Sequence, residues 1–140
     1  KYGHVVDLYC GVGTLGIPMQ KDKLYGIEIV PEAIKDAITN SKMNKQNNYY
    51  LLGDSTNINK IKDKIDCIIV DPPRSGLNDE TLSSLLNYKP QNLIYMSCNP
   101  LTLARDINNL KEYYNLKEIY LLDMFPRTKH METICILKRN

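Results

Sequence analysis

Residues 7–16 read DLYCGVGTLG, and this stretch is the strongest single predictor of the fold. Gly11, Gly13 and Gly16 satisfy the pattern G-x-G-x-x-G directly after an apolar run that is typical of a β-strand. Glycine lets a backbone turn tightly and approach a bound group without a Cβ in the way. The pattern belongs between a strand and a helix, so we expect a helix to follow this turn and an α/β fold to be built around it.

Short runs rich in β-branched residues recur along the chain and predict further strands. Several are continuously apolar, as residues 67–70 are, which is typical of strands that are covered on both faces. The predicted strands cover residues 4–9, 24–29, 49–52, 65–70, 93–97, 118–122 and 133–137.

Helix signals lie between these runs. Pro31 suits a first helical position, and Asn99 followed by Pro100 is typical of a cap and first turn. The connection 123–132 is too short for the crossover that a parallel pair needs, so the last two strands should be antiparallel. We therefore predict a doubly wound, Rossmann-like α/β sheet of seven strands with an antiparallel last strand, rather than a six-stranded dinucleotide fold.

The composition is that of one ordinary globular domain, residues 1–140. The net charge of +2 is too small to indicate nucleic-acid binding by itself, so phosphate contacts would need a local basic patch or another domain.

The chain has four cysteines and no C-x-x-C pair, which disfavours a zinc site or an iron–sulfur cluster; they are Cys10, Cys67, Cys98 and Cys135. Cys67 and Cys135 lie in apolar runs and should be core residues. No apolar run approaches the roughly 18 residues of a membrane span, and we expect a cytoplasmic protein with reduced thiols.

Acidic residues after the predicted strands indicate a nucleotide site. Glu28 ends the second strand, 17 residues after Gly11, where a carboxylate can accept both ribose hydroxyls. Asp54 follows the third strand and is placed for an adenine amino group. This pattern fits NAD as well as S-adenosylmethionine, and a glycine turn that binds nothing is the alternative. Asp7, just before the turn, favours a cationic ligand without a pyrophosphate.

Reactive side chains follow two further strands and precede the last one. Asp71 opens the stretch DPPRSGL, and Cys98 lies in SCNP just before a helix N-terminus, whose partial positive charge favours a thiolate. Glu132 begins the last strand after FPRTKHM. Taken singly, these residues fit a turn, a core and a solvated strand end, and His130 fits a structural role. Ligands of open parallel sheets lie beyond the carboxyl ends of the strands, so all of these groups should face one crevice.

Together the motifs resemble the RNA uracil-5-methyltransferase family, which forms ribothymidine in transfer and ribosomal RNA. The resemblance covers essentially the whole chain through DLYCGVGT, GIEIVPEAI, VDPPRSGL, SCNPLTL and DMFPRTKHME, in the order of the family. It implies that Cys98 is the nucleophile, Glu132 the general base and Asp71 the aspartate beside the target base and methyl donor. It also implies that Glu28 and Asp54 contact the ribose and adenine of S-adenosylmethionine.

The chemistry of uracil agrees with these roles. Its carbon 5 is too weak a nucleophile to attack a sulfonium methyl group, but thiolate addition at carbon 6 generates an enolate that is nucleophilic at carbon 5. A base must then remove the carbon-5 proton so that the thiol can leave. This scheme needs one cysteine, one carboxylate and no metal. The uridine must be single-stranded or flipped out of its helix, because both faces of its ring are engaged.

The resemblance also implies a longer protein. The chain begins at the first predicted strand, so we expect an N-terminal RNA-binding domain outside residues 1–140, with this part as the catalytic domain of a monomer. Arg127 stands where many family members carry Gln, His or Tyr. The stretch GVGT favours the 23S ribosomal RNA branch, whereas DPPRSGL also occurs in the transfer RNA branch.

Three alternative functions stay open from the sequence. An RNA cytosine-5-methyltransferase typically carries a second cysteine in the Asp-Pro motif, where this chain has Pro73 and Arg74. A non-catalytic module that binds S-adenosylmethionine or RNA would bind the cofactor without forming a covalent RNA complex. An NAD-dependent oxidoreductase would prefer NAD in a competition titration.

Overall fold

The computed structural model describes residues 1–124, 126–127 and 131–140. Within these residues, three α-helices and a 3₁₀ helix accompany seven strands. The strands are β1 (Tyr2–Leu8), β2 (Lys21–Glu28), β3 (Tyr49–Leu52), β4 (Cys67–Val70), β5 (Asn92–Ser97), β6 (Tyr114–Leu122) and β7 (Glu132–Arg139). The helices are α1 (Pro31–Met43), the 3₁₀ helix Ser55–Lys60, α2 (Asp79–Tyr88) and α3 (Pro100–Leu110).

All seven strands join one sheet in the order β3-β2-β1-β4-β5-β7-β6. Strands β1 to β5 pair in parallel, and β7 runs antiparallel to both β5 and β6. The predicted fold class is therefore confirmed, including the antiparallel last strand. The strand order reverses between β1 and β4, and ligands of such sheets bind at this switch point, beyond the carboxyl ends of the strands.

The helix expected directly after the glycine turn does not form, and this prediction is wrong. Residues 11–19 form turns, and β2 begins at Lys21. Pro18 has no N–H to continue a helical ladder, and the Gly16 N–H donates to the Asp7 carboxylate (2.9 Å). One helical hydrogen bond remains, from the Ile17 N–H to the Gly13 carbonyl (3.1 Å).

Two apolar clusters cover the two faces of the sheet, because side chains alternate along each strand. The larger cluster joins Leu8 and Val70 to Leu85 of α2 and Leu103 of α3, all buried. The smaller one packs Val5, Cys67 and Ile69 against Ile17 and Leu24. Burying a large aliphatic side chain stabilises a fold by about 1.5–3 kcal/mol, so these clusters provide most of its stability.

The outer strand β6 contrasts with this core. Only its first residue, Tyr114, is buried, whereas Asn115 to Leu122 are exposed on both faces.

Cys67 and Cys135 are buried, as predicted. In the part of the chain that the structure describes, no helix is long and apolar enough to cross a membrane.

Candidate active site

The strand registers bring the predicted site residues to one edge of the sheet. Leu8 pairs with both Ile27 and Val70, so Glu28 and Asp71 follow neighbouring positions on either side of β1. Ser97 pairs with Thr133 across β5 and β7. Because that pair is antiparallel, Cys98 and Glu132 lie one step beyond it, on the same edge.

Glu28 ties the glycine turn to the start of α1. One of its carboxylate oxygens accepts the Gly11 N–H (3.0 Å), and the other accepts the N–H groups of Ile29 (2.8 Å) and Val30 (3.0 Å). Each carboxylate oxygen can accept more than one hydrogen bond, so capacity remains on the half-buried side chain. Gly11 has φ +52°, and no atom lies within 4 Å of the place where its Cβ would stand. Gly13, by contrast, is buried.

A cleft of about 120 Å³ opens beside Glu28. Asp54 lies on its rim, exposed, and one oxygen of its carboxylate accepts hydrogen bonds from the hydroxyl and the N–H of Thr56. These bonds, the hydroxyl first, hold the pKa of Asp54 below its usual range. The residues that line the cleft are Tyr9, Ile27, Glu28, Ile29, Gly53, Asp54, Ser55 and Asn78.

Asp7 lies behind the glycine turn and does not line this cleft. Its side chain is fully buried, and one oxygen accepts the Gly16 N–H while the other has no partner. Burial chiefly raises the pKa of Asp7 to about 7, against the lowering effect of the Gly16 N–H. The negative charges of Asp71 and Glu28 raise it further. The geometry therefore gives Asp7 contact with the turn, where the sequence predicted contact with a ligand.

The environments of the cysteines separate Cys98 from the others. Cys10 is buried, and burial, followed by the charges of Asp7 and Glu28, raises the pKa of its thiol to about 12. Burial likewise raises the pKa of Cys67 and of Cys135. Cys98 is partly exposed. Among the four cysteines, Cys98 is the one that is both accessible at the carboxyl edge of the sheet and placed just before a helix.

The turn that carries Cys98 is fixed on both sides. The Ser97 hydroxyl accepts the Asn99 N–H and donates to the Asn99 carbonyl, both at 3.0 Å. Asn99 is the N-cap of α3, as predicted, and its side chain accepts the Leu101 N–H (3.1 Å). Cys98 therefore directly precedes the N-cap of a helix, whose N-terminus carries a partial positive charge.

Asp71 lies within electrostatic reach of Glu132. Although Asp71 is largely exposed by its surface area, partial desolvation raises the pKa of its carboxyl. The negative charge of Glu132 is the second cause of this increase. The carboxylates of Asp71 and Glu132 are thus close enough to interact, at the sheet edge that also carries Cys98.

The sequence analysis did not predict the role of Tyr9, which directly follows β1 and lines the cleft. Its φ of +62° is rare for a bulky residue, and its hydroxyl lies 3.4 Å from the Ser55 hydroxyl and 3.3 Å from that of Thr81. Its position between a strand and the glycine turn was the sequence signal that could have identified it.

Predictions about Phe125, Thr128, Lys129 and His130 lie outside the described residues, and Arg127 is exposed with φ +71°. Within the described ranges, no group of three or more His, Cys, Asp or Glu residues could hold a metal ion.

Two family models and several known proteins match the sequence of this chain. The family model for tRNA (uracil-5-)-methyltransferases matches residues 54–140, and that for the methyltransferase small domain matches residues 1–93. An uncharacterized RNA methyltransferase of Caldanaerobacter subterraneus subsp. tengcongensis is 41% identical over 97% of this chain and 31% of its own length. One from Streptococcus pneumoniae is 44% identical over 96% of this chain and 31% of its own length. The chain thus spans about a third of the length of these curated relatives.

Solved structures also resemble this chain. The Pyrococcus abyssi tRNA (uracil-54, C5)-methyltransferase in complex with S-adenosyl-L-homocysteine is 35% identical, with a TM-score of 0.84 over 95% of this chain and 33% of that one. TrmK of M. capricolum, at 17% identity and a TM-score of 0.77 over 100% of this chain and 63% of that one, shares the fold. The chain belongs to the tRNA (uracil-5-)-methyltransferase family.

Proposed function

We propose that residues 1–140 are the catalytic domain of an S-adenosylmethionine-dependent RNA methyltransferase that methylates carbon 5 of a uridine. The observation that carries this proposal is the position of Cys98. Cys98 is partly exposed just before α3, one step beyond the Ser97–Thr133 pair as Glu132 is, and at the same sheet edge as Asp71 and the Glu28 cleft.

The cleft beside Glu28 fits the adenosyl part of S-adenosylmethionine. The open space over Gly11 lets a ligand approach the backbone where a Cβ would obstruct it. Free lone pairs on Glu28 suit ribose hydroxyls, and the ionised Asp54 suits the adenine amino group. The carboxylates of Glu28 and Asp71, on either side of β1, favour a cationic sulfonium. When bound there, S-adenosylmethionine supplies the methyl group.

The side chains of this chain then account for the remaining steps. The Cys98 thiolate forms a bond to carbon 6 of the uracil, and the electrons of the 5,6 double bond move onto the carbonyl at carbon 4 as an enolate. Carbon 5 of that enolate accepts the methyl group. Glu132 takes the carbon-5 proton, the double bond re-forms and the sulfur leaves as a thiolate. Asp71, beside Glu132, orients the uracil ring.

The whole protein would extend this domain with an N-terminal RNA-binding domain. Relatives about three times as long as this chain support such an extension, since the chain covers 31% of them. The stretch GVGT favours 23S ribosomal RNA as substrate, whereas the 35%-identical solved structure is a transfer RNA enzyme. Mass mapping of 5-methyluridine in RNA from cells with and without the gene would distinguish the two substrates.

A covalent trap tests the reaction. Fluorine at carbon 5 cannot leave as a proton, so RNA that contains 5-fluorouridine should hold the full-length enzyme as a methylated, denaturation-resistant complex. We expect Cys98→Ala to abolish this complex and to leave cofactor affinity unchanged, because the thiol is not a cofactor ligand.

Cys10→Ala is the matched control, since Cys10 lies beside the glycine turn but its thiol is buried. This variant should still form the complex. Trapping that survives the loss of Cys98 and disappears with Cys10 would assign the nucleophile to Cys10 and overturn the mechanism.

A further inference from the structure

The loop between β4 and α2 lies along one face of α3. Asn99 and Thr102 both donate side-chain hydrogen bonds to the Arg74 carbonyl, at 3.1 and 3.2 Å. Arg105 donates to the carbonyls of Ser75 (3.0 Å) and Leu77 (3.1 Å). Residues three apart on a helix share a face, so one row of α3 side chains satisfies the carbonyls of this loop.

Asp106 completes the attachment from inside the fold. Its side chain is 1% exposed, and one oxygen accepts the Leu77 N–H (2.8 Å) and the Tyr95 hydroxyl (2.6 Å). The other oxygen lies 2.9 Å from Nε and 2.8 Å from Nη2 of Arg105. Nε donates to that oxygen while Nη2 donates to the loop carbonyls, so the buried carboxylate and the loop together hold the guanidinium in place.

Gly76 shows how closely the loop approaches α3. A Cβ at this position would lie 2.6 Å from Nη2 of Arg105 and 2.6 Å from Oδ2 of Asp106, and 3.1 Å from Cβ of Thr102. Its φ of +80° also favours glycine. The loop backbone therefore packs against α3 too closely to admit a side chain at residue 76.

We propose that Tyr95, Arg105 and Asp106 form a positioning clamp for the reaction, an inference that rests on the proposed function. Asp71 begins the clamped loop, and Cys98 directly precedes Asn99, the N-cap of the helix that clamps it. The clamp thereby fixes the Asp71 carboxylate relative to the Cys98 thiol. The members of the clamp do not line the Glu28 cleft. Asn78, at the end of the clamped loop, does line it, but Asn78 is held separately as the N-cap of α2, where its side chain accepts the Thr81 N–H (2.8 Å). The clamp therefore acts on the uridine chemistry and leaves cofactor binding unchanged.

The test is the rate at which Cys98 forms its adduct with 5-fluorouridine RNA in the full-length protein. Arg105→Gln should slow adduct formation by about 10–100-fold, because small misplacements of reacting groups cost rates of that order. Affinity for S-adenosylmethionine and the RNA concentration at half-maximal rate should stay unchanged. Arg105→Lys should also be slow, because an ammonium cannot reproduce the planar fork. Lys111→Ala, which removes a charge just after the same helix, should match the wild type.

The half-exposed Arg105 could act instead as a phosphate contact, and the same series separates this role. A phosphate contact predicts that Arg105→Lys behaves like the wild type and that Arg105→Gln weakens RNA binding in a salt-dependent way. That result would overturn the clamp, as would an adduct rate unchanged in both variants.

Amide hydrogen exchange gives a readout that does not depend on the chemistry. The Leu77 N–H, bound to Asp106, should exchange faster in Arg105→Gln than in the wild type or in Lys111→Ala. A wild-type protein that forms no adduct would contradict the proposed function, and Leu77 exchange would then still decide whether the clamp holds the loop. Unchanged exchange would show that it does not.

Discussion

At the glycine turn, two carboxylates of the same charge have opposite surroundings. Glu28 is partly exposed and accepts hydrogen bonds from three backbone N–H groups. Asp7 accepts one, and its second oxygen is buried without a partner. The sequence places both acids at strand ends and so predicts their location. It does not predict that Asp7 would point into the core, because that depends on how residues 11–19 close over it.

The buried charge of Asp7 should make stability depend on pH. Its pKa in the folded chain, about 7, lies above the ordinary value of 3.8, so the folded state binds this proton more tightly than the unfolded state. Stability contributed by this proton is present below about pH 4 and is lost as the pH rises through about 7. Asp7→Asn keeps an acceptor for Gly16 and removes the titration.

We therefore expect Asp7→Asn to be more stable than the wild type by about 1–3 kcal/mol at pH 8, with the difference shrinking towards pH 5. Chemical denaturation at several pH values measures this difference. Asp36→Asn, an exposed carboxylate on α1, is the control and should follow the wild type. Curves for Asp7→Asn that run parallel to the wild type would show that Asp7 does not carry the pH dependence.

At the scale of elements, the periodic signals predicted all seven strands, and the caps predicted the starts of α1 and α3. The helix after the glycine turn failed because Pro18 and the Asp7–Gly16 bond compete with a helical ladder over a short connection. Asn99 illustrates a second limit. Its role as a cap is local and visible in the sequence, but its bond to the Arg74 carbonyl joins elements 25 residues apart.

The two roles of Asn99 can be separated by substitution. Asn99→Ala should lower the free energy of unfolding by about 1 kcal/mol, the usual cost of losing an N-cap. Asn99→Ser should retain most of that stability, because a serine hydroxyl also caps a helix. Both variants lose the donor to Arg74, so both should slow adduct formation at Cys98. Urea unfolding and trapping rates measure the two effects, and equal stability of the two variants would contradict the capping role.

At the scale of the whole molecule, the acidic residues of the candidate site and one lysine-rich stretch lie towards opposite ends of the sheet. Asp7, Glu28, Asp71 and Glu132 gather at the carboxyl ends of the parallel strands. The lysine-rich stretch 60–64 precedes β4 and therefore lies towards the other end. The net charge of +2 conceals this separation, which only the topology reveals. A polyanion approaching the candidate site meets carboxylates, so this domain should recognise a uridine more readily than it holds an RNA strand.

This separation predicts that cofactor and RNA binding divide between parts of the protein. Residues 1–140 alone, once a cooperative melting transition shows that they fold, should bind S-adenosylmethionine as tightly as the full-length protein, since the cleft is built from the ends of the first four strands and the segments that follow them. Their affinity for single-stranded RNA should be weak and nearly independent of salt. The full-length protein should instead show a steep dependence, with a slope of about −0.7 in log affinity against log salt for each phosphate neutralised. Titrations of both forms at several salt concentrations measure these slopes. Equal slopes and equal RNA affinity would place the phosphate grip within residues 1–140 and contradict a separate RNA-binding domain.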